Sequence, residues 1–417
     1  MRAPLQPVED ALALILASVE PVTETESLPL LQVLGRVLAV DQISSINVPP
    51  CDNSAMDGYA VRYSDLAATE SQSYPPLKVA QRIPAGQIGT ALLPGTAARI
   101  FTGAAIPEQA DTVVIQENAA LSADVVRFSG KIRRGQHIRP QGQDIAAGSL
   151  VVAAGKCLQP QDIGLLASIG VTEVAVFRRL KVAVVSTGDE LVEPGQALAA
   201  GQIYNSNRYT LAALVQALGC EVIDGGIIAD KFEATCQQLQ QLAARVDLII
   251  SSGGVSVGEE DHVKAAVEAL GELALWKLNI KPGKPLAFGR VGRTPFFGLP
   301  GNPSSVFVTF ALLARPYLLR YQGRHDVAPI ISYAQADFDW SAAGTRQEYL
   351  RVKIVNRHRE GQAAGAVDVC AQLYDNQSSG VLASVSWANA LLVLPPAATV
   401  KRGDRVQVIL LSELVKG

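Results

Sequence analysis

Several stretches of this sequence place glycine and hydroxyl residues beside charge at spacings that suit an anionic ligand. Ser186-Thr187-Gly188-Asp189-Glu190 and Ser251-Ser252-Gly253-Gly254-Val255-Ser256-Val257-Gly258-Glu259-Glu260-Asp261 each follow a short apolar run. Glycine lets the backbone approach an anion, and the N–H groups that open a following helix hold phosphate. A carboxylate beside a phosphate repels it unless a divalent cation or a proton lies between them. Glu190 and Asp261 are therefore candidates for magnesium binding or for acid–base work. Asp189 and Asp261 could instead cap helices, a common use of Asp. Two such loops at one sheet edge weigh toward a ligand.

Lys281-Pro282-Gly283-Lys284-Pro285 is a stiff turn with two ammonium groups three residues apart. Its prolines reduce the freedom lost when both lysines face one oxyanion. A solvated basic turn is the plainer alternative. Gly298-Leu299-Pro300-Gly301-Asn302-Pro303-Ser304 leads into an apolar helical pattern and forms a second ligand cradle or a tight strand-to-helix turn. Asn53-Ser54-Ala55-Met56-Asp57-Gly58-Tyr59-Ala60 reads as a surface turn, and Arg133, Arg134 and Arg139 near Asp144 as an anion clamp or a salt-bridged face. None of the four His residues stands at metal-ligand spacing.

A scaffold must hold these loops together, and the rest of the chain supplies one. Its 417 residues suggest two or three domains at roughly 150 residues each. A net charge of −3 gives no global attraction to nucleic acid or to an anionic membrane, and no apolar run approaches the roughly 18 residues of a spanning helix. Five scattered cysteines without a Cys-x-x-Cys pair argue against a disulfide framework or a zinc site and for a reducing, cytoplasmic setting.

Val8, Leu12, Ile15, Leu16 and Val19 fall on one helical face, and Glu9 and Asp10 precede the run where a signal peptide wants positive charge. Residues 50 to 144 are rich in Gly and Pro with short β-branched runs, which predicts a small β-rich module. From Lys181 the texture becomes strand–helix alternation. Strands are expected at Val182–Val185, Val222–Ile228 and Asp247–Ile250, and helices at Asn207–Leu218, Phe232–Ala244, His262–Leu270 and Ser304–Tyr321. That alternation predicts a parallel α/β sheet, with ligands at the carboxyl ends of its strands. Beyond Gln347, period-two alternation in Tyr349–Ile354 and a strand pair across Gly403-Asp404 within Thr399–Leu411 predict a C-terminal β-barrel or small sheet.

Taken together these pieces resemble the molybdopterin molybdenumtransferase family, which includes MoeA and the gephyrin E domain. The matching stretches are Asn53–Ala60, Ile100-Phe101-Thr102-Gly103-Ala104, Ser186–Leu191, Ile203-Tyr204-Asn205-Ser206-Asn207, Ser252–Gly258, Lys281–Pro285 and Gly298–Pro303, in the family's order. The resemblance implies a multidomain α/β plus β architecture in an elongated subunit that forms a homodimer. It divides the chain into a linking domain of residues 27–48 and 145–178, a β-rich domain of 49–144, an adenylyltransferase-like α/β domain of 1–26 and 179–326, and a C-terminal β domain of 327–417. It also implies the reaction. Molybdate is inserted into adenylylated molybdopterin and AMP is released with the help of Mg2+.

Carried over by position, the resemblance implies molybdate contacts at Ser256, Lys281, Lys284, Arg351 and Ser379, with Ser378 as the alternative serine. It adds Lys277, Pro300 and Pro303 to the substrate site and gives functional carboxylates at Glu190, Asp230 and Asp261. Asp57, Thr102, Arg139 and Asp144 are implied to reach the α/β site of the other subunit. A molybdopterin adenylyltransferase is the expected partner enzyme. The residue types suit the chemistry, because a tetrahedral dianion wants cations, hydroxyls and backbone N–H groups, and pyrophosphate cleavage wants its charge neutralised. A nucleotide pyrophosphohydrolase, a non-catalytic pterin-binding scaffold and a tungsten-selective paralogue are the competing readings.

Overall fold

The computed structural model describes residues 5–67, 74–229, 231–254, 262–358 and 367–415. At its centre is a six-stranded sheet in the order Glu221–Ile228, Lys181–Thr187, Leu248–Ser252, Thr294–Leu299, Pro285–Val291 and Gly271–Lys277. The first four strands are parallel, as the strand–helix alternation predicts. Pro285–Val291 and Gly271–Lys277 then add antiparallel strands at one side, making the sheet mixed.

The three inner parallel strands are buried on both faces because both are covered. Val182, Val184, Leu248, Ile250, Phe297 and Leu299 join one core, together with the helix Ser206–Ala217 and a long helix over 303–321. Ala183, Val185, Ile249 and Phe296 point the other way into a second core under Phe232–Ala243 and His262–Leu270. The helix Val8–Ala17 buries Val8, Ala11 and Ile15 in the first core, with Leu12, Leu16 and Val19 packed at its margin.

The long helix is continuous but widens into a π turn over Phe310–Ala314 between α-helical Pro303–Thr309 and Arg315–Tyr321. Pro316 explains the widening, since its ring would collide with the carbonyl four residues earlier in a regular α-helix.

Two short antiparallel ladders, Thr25–Pro29 with Glu173–Phe177 and Gln42–Ile43 with Leu150–Val152, tie the outgoing and returning chain together. The helix Pro160–Ser168 packs there, around Leu38, Leu158, Leu166 and Val176. Between them the chain makes the β-rich module, a six-stranded sheet ordered Thr112–Ile115, Gly58–Val61, Thr96–Ile100, Leu77–Ile83, Val125–Phe128 and Ala119–Ser122.

In the C-terminal region Gln347–His358, Val367–Leu373, Ile331–Ala336, Arg405–Leu410 and Ala390–Leu394 close into a five-stranded barrel, because the last of them pairs back to the first. Leu350, Val352, Leu392 and Val408 fill the barrel. Their sequence neighbours Tyr349, Leu391 and Ile409 point outward and join the core of the α/β body. A sixth strand, Ile280–Lys281 of the α/β region, pairs with Gln347–His358. The strand pair expected within 399–411 does not form. Val400 bridges Trp340, and Arg405–Leu410 pairs with Ile331–Ala336 and Ala390–Leu394. Closing the barrel requires long-range partners on both sides of Arg405–Leu410, so the Gly403 turn serves the route between strands. Among the described residues, no helix is long and apolar enough to cross a membrane.

Candidate functional site

A cleft of about 830 Å³ opens where the carboxyl ends of the parallel strands face the C-terminal barrel. Three loops form one wall. They leave Lys181–Thr187, Leu248–Ser252 and Thr294–Leu299, which are adjacent in the sheet, so their ends are adjacent too. Ser186 and Ser252 stand side by side with their hydroxyl oxygens 3.1 Å apart, and Ser186 donates to Asn205 Oδ1 at 3.2 Å. Asn205 also caps the helix Ser206–Ala217 by accepting from the Arg208 N–H.

Two glycines are required by space and by conformation. Gly253 has φ +85°, and a Cβ there would stand 2.8 Å from the Thr187 carbonyl oxygen. A Cβ on Gly254, φ +64°, would stand 2.7 Å from Thr187 Oγ1. Thr187 Oγ1, Asn205 Nδ2 and Asn207 Oδ1 are buried around this wall and have no hydrogen-bond partner among the described residues. Buried polar atoms are rarely left so, and their gathering here marks spare capacity for a ligand.

The lining of the cleft also carries cations. Lys281 and Lys284 both line the cleft, on a turn that Leu278 N–H closes by donating to the Lys284 carbonyl at 2.7 Å. Gly283 lets this turn lie against the long helix, since a Cβ there would meet Thr309 Oγ1 at 2.4 Å. Lys281 Nζ is 3.3 Å from both carboxylate oxygens of Glu348. Arg346 also lines the cleft and donates to the Ile280 carbonyl at 3.0 Å. The floor is Pro300-Gly301-Asn302, with the Gly301 carbonyl accepting from Asn207 Nδ2 at 2.7 Å.

The barrel contributes Gln377, Ser378 and Ser379. This loop is fixed to the start of the long helix, where Ser304 N–H donates to the Ser379 carbonyl at 3.0 Å and Ser304 Oγ to the Val381 carbonyl at 2.8 Å.

The structure therefore brings Glu190, Lys281, Lys284, Pro300 and both candidate serines into one cavity. Pro303 opens the helix beside it. Arg351 sits behind the wall at 1% exposure, and its guanidinium donates to the Ser378 carbonyl, Ser384 Oγ and the Tyr349 carbonyl. Burial pushes its pKa down to about 10. Arg351 thus shapes the loop from within. Lys277 is exposed at the end of an edge strand, outside the cleft lining, with its carbonyl accepting from Gln6 N–H. Ser256, Asp230 and Asp261 lie outside the described residues.

A second group lies in the β-rich module. Asp57 Oδ1 accepts from both the backbone N–H and Oγ1 of Thr102 at 2.8 Å each. These two bonds, helped by the nearby Arg99 charge, hold the Asp57 carboxyl below its usual value. Arg139 is exposed where Ile138–Arg139 pairs with Asn53–Ser54, and Asp144 is exposed beside the Val48–Ile145 bridge. None of these four lines the cleft of its own chain. Arg134 is bound to Asp111 at 2.7 Å, so within the basic run it makes a surface ion pair.

Arg346 and Glu348 carry no motif signal in the sequence. Glu348 does stand out in one respect, as a charge at the start of a strand whose following residues are buried.

Three family models together span most of the chain. They are described as the MoeA N-terminal region (domain I and II) over residues 6–170, a probable molybdopterin binding domain over 183–320, and the MoeA C-terminal region (domain IV) over 333–411. A molybdopterin molybdenumtransferase of Haemophilus influenzae is 46% identical over 304 residues, 72% of this chain and 74% of its own. One from Nostoc is 37% identical over 384 residues, 90% of this chain and 86% of its own. The crystal structure of a molybdopterin biosynthesis MoeA protein from Pyrococcus horikoshii matches with a TM-score of 0.82 at 28% identity, covering 98% of this chain and all of that one.

Proposed function

The chain belongs to the MoeA family of molybdopterin molybdenumtransferases, enzymes of molybdenum-cofactor synthesis, and from that premise we propose that it inserts molybdate into adenylylated molybdopterin and releases AMP. The observation that carries this reading is that Lys281, Lys284 and Arg346 line the same cavity as Glu190 and the glycine wall of Gly253 and Gly254. The cations meet the tetrahedral dianion, and the backbone of the glycine wall lets the pyrophosphate approach closely. Ser379 or Ser378 offers a hydroxyl from the barrel side.

Mg2+ is the metal this reaction calls for, and when bound it neutralises phosphate charge as the phosphoanhydride breaks. Among the described residues no group of three His, Cys, Asp or Glu stands together. A single carboxylate, Glu190, with substrate phosphates and water fits the usual sparse protein ligation of Mg2+. Asp230 and Asp261 complete the acidic set in this reading.

The active unit in this reading is a homodimer. Ile43 and Leu150 face each other across the Gln42–Ile43 ladder and are 61% and 56% exposed, and Leu31 nearby in sequence is 97% exposed. An exposed apolar surface of this kind suits a second copy. In this reading the chain divides as the family resemblance implies, with residues 27–48 and 145–178 linking, 49–144 β-rich, 1–26 and 179–326 α/β, and 327–417 C-terminal. Asp57, Thr102, Arg139 and Asp144, which miss their own chain's cleft, then serve the partner's. The setting is cytoplasmic, and a molybdopterin adenylyltransferase supplies the substrate.

The test is AMP release from adenylylated molybdopterin by the purified protein with Mg2+, with and without molybdate. Release that requires molybdate and yields active cofactor is expected. Equal release without molybdate would make the protein a pyrophosphohydrolase, and pterin binding with no release would make it a scaffold.

A further inference from the structure

Behind the cationic wall lies a carboxylate that the reaction does not require. Glu348 stands opposite Lys281 in register where Ile280–Lys281 joins the barrel strand Gln347–His358. Both of its oxygens are 3.3 Å from Lys281 Nζ. The Glu348 side chain is 4% exposed and that of Lys281 is 44% exposed, so the ammonium faces the cleft while its counter-charge is sealed beneath it. Gly344 makes room for this arrangement, since a Cβ there would stand 2.4 Å from Glu348 Oε1. Its φ is ordinary, so space is what asks for glycine.

An ammonium at that exposure needs no protein partner, because water solvates it. Burying a carboxylate is costly, and a buried pair is weak evidence for stability on its own. The carboxylate therefore has to be explained by what it does to Lys281. With Lys284 and Arg346 on the same wall, three positive charges would hold a tetrahedral dianion tightly. A transferase must let that dianion go to the substrate's sulfurs, and uniform tight binding of the ground state does not speed transfer.

We propose that Glu348 is a positioning residue that sets oxyanion affinity: it fixes the Lys281 ammonium on the wall and cancels part of its charge, so that molybdate is held weakly enough to be passed on. Glu348 touches no ligand; it orients Lys281, and its negative charge beneath the ammonium lowers the net pull of the wall on the oxyanion. This inference rests on the oxyanion reading of the cleft.

The experiment is calorimetric titration of the full-length protein with molybdate, and separately with sulfate, at fixed ionic strength. Wild type, Glu348→Gln and Glu348→Asp are compared. Removing one negative charge beside a dianion is expected to tighten binding about tenfold. The gain should appear for both anions, because charge does not distinguish them, while Glu348→Asp should bind as wild type does. In turnover, Glu348→Gln should lower the molybdate concentration for half-saturation and lower kcat with it. Where Glu348→Gln does not fold, the pair-deleted variant K281Q/E348Q should bind molybdate more tightly than K281Q alone. Unchanged or weaker anion binding on losing Glu348, even with a lowered Tm, would make the pair a staple between barrel and α/β body and overturn the inference. Tightening for molybdate alone would overturn its charge origin. Wild-type protein that binds neither anion would overturn the oxyanion reading itself.

Discussion

Lys281 and Lys284 share one turn but differ in what their removal leaves behind. Lys284 is exposed, so Lys284→Ala should raise the molybdate requirement about tenfold with little change in Tm. Lys281→Ala also strands the buried Glu348 carboxylate and should lower Tm as well as affinity. Thermal melts beside molybdate titrations of the two variants separate these outcomes. Equal effects of both variants on Tm would contradict the pairing. Asp57 gives a pH prediction. Its carboxyl lies below the ordinary 3.8 because Thr102 donates to the charged form. It therefore stays ionised until pH falls through that lowered value, and any stability it adds is present above 3.8 and lost on the way down. Thr102→Val removes the hydroxyl and should move the Asp57 titration upward, read by carboxylate NMR. At this scale the sequence shows the Gly, Lys and Ser motifs well, because their spacing is local. It does not show where a side chain points. Arg351 is a charge in a strand pattern that turns inward, and Glu348 gains its meaning only from a strand 67 residues away.

The strands and helices hold these residues in place by burial. Ile15 is fully buried in the core that also takes Phe310, Ala314 and Leu318. Ile15→Ala should cost about 2–4 kcal/mol in urea unfolding, from lost transfer energy and the cavity left behind. A cost under about 0.5 kcal/mol would mean that the N-terminal helix does not belong to that core. Gly253 offers the converse case, a small change at a rigid junction. Gly253→Ala places a methyl 2.8 Å from a carbonyl oxygen at φ +85°, so the two loops must part and the cleft wall must shift. Periodicity made the α/β helices legible, since each buries one continuous face. The antiparallel strands Gly271–Lys277 and Pro285–Val291 follow no helix–strand alternation and were not legible. The strand pair misread within 399–411 shows the same limit. A Gly-Asp turn suggests a hairpin locally, but barrel closure with Ile331–Ala336 and Ala390–Leu394 decides the pairing.

The molecule as a whole presents two sets of proposed site residues, the second of which does not line the cleft of its own chain. Glu190 and the lysines line the cleft, while Asp57 and Thr102 stand in a module reached by two short ladders. If each cleft is completed by the partner's module, the two sets can be damaged on different chains and still recombine. Glu190→Gln abolishes a chain's own cleft, and Asp57→Asn abolishes its contribution to the other. Each variant homodimer should be inactive. A mixed dimer pairs the intact cleft of the Asp57→Asn chain with the intact module of the Glu190→Gln chain, giving one working site of two. Random reassortment makes half of the dimers mixed, so co-refolded variants should recover about a quarter of wild-type activity. Recovery should disappear when Ile43→Asp and Leu150→Asp are added to both chains, because charge on that paired apolar surface prevents association. Mixtures that stay inactive although mass measurement shows mixed dimers would place Asp57 and Glu190 in separate tasks within each chain.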